Sequence, residues 1–205
     1  MTSHPLPSQA LLVVDVQKAG VSGERAVPGA GALLDRTAGL LARARRAGAV
    51  VVHLQNDGGP GTGDEPHTPG WALHLPVEAG PTECVIRKTE DDGFAGTSLG
   101  AVLAEAGVEA LAVCGVMSEM CVQATARTAL ELGYRVVLPH DAHATHDIPA
   151  APGISDAVPA AVVSRVAAWA ISADADVTTP AGAVEFVAPS GSGNPLAPAP
   201  HGATG

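Results

Sequence analysis

Basic residues, aromatic side chains, cysteines and long apolar runs are all scarce in this chain, and each scarcity excludes something. Eleven lysines and arginines stand against 21 acidic residues, for a formal net charge of -10. That balance argues against a nucleic-acid partner, because proteins that bind phosphate backbones carry a basic face. Two Phe, two Trp and one Tyr leave the core to aliphatic and alanine side chains. Three cysteines, Cys84, Cys114 and Cys121, are too few and too unevenly spaced for a disulfide framework or a zinc knuckle. With no signal-peptide pattern, they point to a reducing cytoplasm. No apolar stretch approaches the roughly 20 residues of a membrane helix, and the run from Ala10 to Val16 is interrupted by Asp15. No membrane partner is expected. A chain of 205 residues suits one domain with one core, and its partners are small molecules or proteins.

The residues that are abundant alternate in a recognisable rhythm. Leu11 to Val14 and Ala49 to Leu54 are continuous apolar runs, the signature of parallel strands covered on both faces. Between them Leu33, Leu34, Leu40 and Leu41 recur at helical spacing until Gly48, a C-terminal stop. Strand Cys84 to Ile86, helix Thr97 to Ala106, strand Ala110 to Gly115, helix Glu119 to Leu132 and strand Arg135 to Leu138 repeat the pattern. A last helix spans about Asp156 to Ile171, with Val162, Val163, Val166 and Trp169 on one side, and Asp176 to Thr178 is a candidate edge strand. Such alternation specifies an α/β fold in which a parallel sheet lies between helices. Ligands in these sheets bind beyond the carboxyl ends of the strands. The Gly- and Pro-rich stretch from Asn56 to Pro81 reads as a functional loop. The domain is expected to end near residue 187, and Ala188 to Gly205 reads as a flexible tail.

Three titratable residues fall at predicted strand ends: Asp15, Lys88 and, just past Gly115, Cys121. Ser118 reads as a helix N-cap, which would place Cys121 in the first turn among unpaired N–H groups that favour a thiolate. An acid, a cation and a thiol converging on one sheet edge form a plausible nucleophilic site, with Asp15 as the base.

The opening Leu11-Leu-Val-Val-Asp15-Val-Gln17, the Arg87-Lys88-Thr89 element followed by Phe94, Gly96, Thr97 and Leu99, and the stretch Gly115 to Arg127 resemble the isochorismatase-like cysteine hydrolases. The resemblance covers Leu11 to about Thr179 and implies a three-layer α-β-α sandwich with a mainly parallel, Rossmann-like sheet. It implies that Asp15, Lys88 and Cys121 are catalytic and that the peptide bond between Val116 and Met117 is cis. The N–H groups of Met117 and Cys121 would then form an oxyanion hole. The implied reaction is cleavage of a C–N bond in a small amide, lactam or ureide through a Cys121 thioester. Some relatives open cyclic amides of antibiotics such as streptothricin. No cofactor is implied, and many relatives are homo-oligomers.

Gln17, Trp71, His74, Phe94 and Met117 are the candidate substrate contacts, with Trp71 equally readable as a loop anchor. His53, inside an apolar strand, reads as a hydrogen-bonded core residue. The metal-binding Asp-x-His pattern of related nicotinamidases is not met at Asp57-Gly58-Gly59, and no metal is assigned. The cluster His140, Asp141, His143, His146 and Asp147 has permissive ligand spacing, but Asp141 reads as a turn-capping residue. Cys84 and Cys114 read as buried, inert thiols. Two other functions remain open, an isochorismatase-type vinyl-ether hydrolase and a non-enzymatic protein whose thiol senses oxidants or binds a ligand.

Overall fold

The computed structural model describes residues 7–78 and 80–191, and its apolar runs assemble into one parallel sheet. β1 (Ala10–Val14), β2 (Val50–Asn56), β3 (Glu83–Lys88), β4 (Ala110–Val116) and β5 (Arg135–Val137) lie in the order β3-β2-β1-β4-β5. A short β6 (His143–Ala144) pairs with the carboxyl end of β4. The helices are α1 (Lys18–Val21), α2 (Ala30–Ala47), α3 (Leu99–Glu105), α4 (Gln123–Glu131) and α5 (Ala160–Trp169).

Both faces of the sheet are covered, which explains why its central strands β1 and β4 are continuously apolar. On one face Leu12, Val52, Leu54 and Val113 pack with Leu99 and Leu103 of α3 and Ala126 and Ala129 of α4. On the other, Leu11, Val13, Val51 and Ala112 pack with Leu33, Leu40, Leu41 and Ala44 of α2. The three-layer sandwich is the expected architecture. Strand order runs outward from β1 through β2 and β3, then resumes on β1's other side with β4. The crevice at that reversal is where such sheets bind ligands. Val14 pairs with Leu54 on one side and Gly115 on the other, so Asp15 leaves the sheet inside this crevice. The β1–β4 approach requires glycine at 115: its φ is +126°, and a Cβ there would lie 2.0 Å from the Val14 carbonyl oxygen.

Several elements differ from the sequence reading. The helix expected from Glu119 starts at Gln123, after a π-helical turn at Ser118–Val122 in which Met120 is not helical (φ -110°, ψ -109°). Ser118 does not cap it, because its hydroxyl is engaged with Ser164 Oγ at 2.9 Å and His143 Nδ1 at 2.8 Å. α5 starts after Pro159, and Asp147 caps it by accepting from Ala160 N–H at 2.7 Å. Ala160, Val163, Ala167 and Ala168 are its buried residues, whereas Val162, Val166 and Trp169 are exposed. The expected strand at Asp176 reduces to one bridge with Val137, since the Asp176 carboxylate closes a turn with Thr178 and Thr179. Of the tail, residues 192–205 lie outside the described residues.

His53 is the hydrogen-bonded core histidine that its strand predicts. Its Nε2 lies 2.9 Å from Glu83 Oε1, and Arg45 forks onto both Glu83 oxygens at 2.7 and 2.8 Å. Burial alone would raise the pKa of Glu83, but Arg45, the Glu78 N–H and His53 outweigh it and hold it at about 2. Glu83→Gln should therefore destabilise the fold by about 2 kcal/mol, because the part-buried Arg45 loses its charge-assisted hydrogen bonds and keeps only the exposed Glu78 as ionic partner. The folded pKa lies below the ordinary 4.5, so this stabilisation is complete above that value and is lost as pH falls toward 2. Urea unfolding of both proteins should show a gap at neutral pH that narrows in acid.

Candidate active site

Three strand ends bring Asp15, Lys88 and Cys121 together. Asp15 follows β1 with φ +49°, a left-handed conformation that Asp tolerates better than most residues and that recurs at functional sites. Lys88 ends β3, and its Nζ donates to Asp15 Oδ2 at 2.8 Å and to the Glu90 carbonyl at 3.1 Å. Cys121, in the turn after β4, shares a cavity with Asp15, and its Sγ is 3.5 Å from Asp91 Oδ1. Asp15 Oδ1 is buried and has no hydrogen-bond partner among the described residues. The Val116–Met117 bond is cis, as the resemblance implies.

Electrostatics here contradict the expectation of a helix-activated thiolate. Burial pushes the Cys121 thiol well above its ordinary value, the Asp15 carboxylate adds to the rise, and Lys88 only partly offsets it. The regular first turn that was expected to favour a thiolate is also replaced by a π-helical one. Burial also raises Asp15, against the pull of Lys88, and a raised carboxylate is a better proton acceptor near neutral pH. Lys88 stays protonated, because Asp15 and Cys121 outweigh the burial that opposes its charge. These directions describe a protonated thiol beside the Asp15 carboxyl group and a buried Lys88 cation. Alkylation of Cys121 by iodoacetamide should climb about tenfold per pH unit through the neutral and mildly alkaline range, as expected for a thiol far below its pKa. A plateau beginning below neutrality would indicate a pre-formed thiolate. Peptide mapping separates this signal from Cys84 and Cys114, whose pKa values burial raises to about 11 and about 12.

A cavity of about 370 Å³ opens onto Asp15 and Cys121, which Lys88 joins only through its ion pair with Asp15, and Gln17 and Met117 line it. Gln17's amide is fully engaged: it donates to the Asn56 and Trp71 carbonyls at 2.9 and 3.0 Å and accepts from Asn56 N–H at 2.8 Å. It holds the loop in place and has no group spare for substrate. Trp71, His74 and Phe94 do not line the cavity, which corrects their assignment as walls. Trp71 is a loop anchor, donating to Asp57 at 2.9 Å beneath the Arg87 guanidinium, 5.1 Å from its ring. His74 is exposed and tied through its backbone N–H to Val16. Phe94 packs on the core and stacks on Tyr134, with ring centroids 6.2 Å apart. Arg25, Asn56, Asp64, Asp91, Met120 and His146 line the cavity instead. Of these, Asp91 had a usable signal, standing three residues after Lys88 in an acidic run.

The histidine-rich stretch does not converge. Asp141 accepts from Ala181 N–H at 2.7 Å and pairs with Arg36 at 2.8 Å, a structural role with a more distant partner than its own turn. Among the described residues, no group of three or more His, Cys, Asp or Glu side chains is arranged to hold a metal ion.

Residues 9–166 match the isochorismatase domain model. A streptothricin hydrolase of Streptomyces noursei is 72% identical over 94% of this chain and 68% of its own length. Among solved structures, an isochorismatase from Pseudomonas putida superposes with a TM-score of 0.77 at 32% identity, covering 88% of this chain and 93% of that one. A cysteine hydrolase from Pseudomonas syringae pv. phaseolicola gives 0.74 at 26% identity, over 87% and 91% of the two chains.

Proposed function

The chain belongs to the isochorismatase family, and from that premise we propose that it is a cysteine hydrolase that opens a C–N bond in a small amide or lactam, with streptothricin as its substrate. The observation that supports the mechanism is that Asp15 and Cys121 line one cavity while Lys88 pairs with Asp15 at 2.8 Å. The substrate follows from the similarity to streptothricin hydrolase.

In this reading Asp15 takes the Cys121 proton as the sulfur attacks the carbonyl carbon. The resulting oxyanion accepts hydrogen bonds from Met117 and Cys121 N–H groups, donors that typically matter by about 3 kcal/mol each in the transition state. Collapse breaks the C–N bond, Asp15 returns the proton to the departing nitrogen, and a thioester remains. In a lactam that nitrogen stays tethered to the acyl group. Water then attacks the thioester, giving one proton to Asp15, which passes it to the departing sulfur. Lys88 balances the negative charge that moves between Asp15 and Cys121. Asp64 and Asp91 also face the cavity, favouring a substrate that carries a cationic group.

The same reading places the protein in the cytoplasm, where its three free cysteines remain reduced. Among the described residues no helix is long and apolar enough to cross a membrane. A homo-oligomer is included, with exposed Val162, Val166 and Trp169 as an apolar contact face. The direct test is incubation of the purified protein with streptothricin and mass analysis of the product. One water gained without fragmentation is the expected result and identifies lactam opening. An unchanged antibiotic, with no turnover across a panel of amides and ureides, would overturn the proposal.

A further inference from the structure

A second cavity, of about 650 Å³, lies between α5 and the segment around β6, and its lining is unlike the rest of the chain. Among the described residues no Asp or Glu lines it, in a protein with 21 acidic and 11 basic residues. His140, His143, Ser164 and Arg165 do. The carboxylates around it are already hydrogen-bonded: Asp141 to Arg36 and Ala181, and, at the edge of the lining itself, Glu119 to Thr145, Asp147 to Ala160 and Asp176 to Thr178. Arg165 forms no ion pair among the described residues. His143 is only 7% exposed, and its Nε2 is shielded from water without a hydrogen-bond partner. An orphaned buried nitrogen is costly, and a ligand oxygen would satisfy it. Pro28, Ala161, Ala168 and Val177 supply apolar wall, and the volume suits a small molecule.

We propose that this cavity binds a small organic anion, a carboxylate or phosphate ester on an apolar frame, with Arg165, His140 and His143 facing its oxygens. The site also touches the catalytic turn. His143 Nδ1 is 2.8 Å from Ser118 Oγ, which is 2.9 Å from Ser164 Oγ, and Ser118 opens the turn that carries Cys121. The inference stands apart from the proposed reaction, because none of its residues belongs to the Asp15, Lys88 and Cys121 trio.

The test follows the imidazole resonances of the labelled full-length protein by NMR, titrated with benzoate, phenyl phosphate and neutral benzyl alcohol. Saturable shifts of His143 with benzoate or phenyl phosphate, and none with benzyl alcohol, are expected. Saturation by one anion alone assigns the carboxylate or the phosphate ester. Arg165→Gln, an exposed position on α5, should weaken the dissociation constant about tenfold, as loss of a charge-assisted contact does. Arg25→Gln, on the catalytic cavity, should leave it unchanged. No saturable shift with either anion, equal binding of benzyl alcohol, or binding that survives Arg165→Gln would overturn the proposal.

Discussion

Cys121→Ala should lower kcat for a confirmed substrate by about a million-fold, the order of loss seen when a covalent nucleophile is removed. The side chain is half-buried and carries no structural hydrogen bond beyond its contact with Asp91, so thermal unfolding should change little. Substrate affinity should also survive, because the cavity wall formed by Met117, Asp64 and Asp91 is untouched. Loss of kcat with retained binding separates an absent nucleophile from a collapsed pocket. Full hydrolysis by the variant would show that Cys121 is not the nucleophile.

Asp15→Asn should reduce turnover about ten-thousandfold, since an amide of the same shape cannot take the proton from sulfur or water. Its effect on the free thiol runs the other way. The Asp15 carboxylate raises the pKa of Cys121 while Lys88 lowers it, so removing the acid's charge leaves Lys88 to pair with the sulfur. At neutral pH the variant should alkylate faster than the parent while hydrolysing far more slowly. Lys88 also loses the partner it holds at 2.8 Å, and unpairing a buried ion typically costs about 3–5 kcal/mol. Unfolding by urea should detect that cost. If Asp15 served only to shape the turn after β1, alkylation and turnover would move together and only slightly.

The layers of this fold were legible because the strands Leu11 to Val14, Ala49 to Leu54 and Ala110 to Gly115 are apolar throughout, which only a two-faced sheet explains. Asp15 and Lys88 could be placed for the same reason, each standing where an apolar run stops. The state of Cys121 was not legible. Local rules treat Ser118 as a cap, but its hydroxyl is taken by Ser164 and His143, partners 46 and 25 residues away. The turn consequently closes as a π-helix, and burial sets the thiol's pKa. Trp71 and Phe94 were misplaced because aromatic character says that a side chain will pack without saying against what. Trp71 packs under Arg87 and Phe94 against Tyr134. The cavity is instead walled by Asp64 and Asp91, loop residues whose positions depend on long-range contacts.

The thioester on Cys121 is tested most directly by acid-quenching the enzyme during turnover of streptothricin and weighing the intact protein and its Cys121 peptide. A covalent adduct on Cys121 is predicted, equal in mass to the whole antibiotic because a lactam loses no leaving group, and absent from Cys121→Ala. An unmodified Cys121 throughout turnover, together with undiminished hydrolysis by Cys121→Ala, would contradict it.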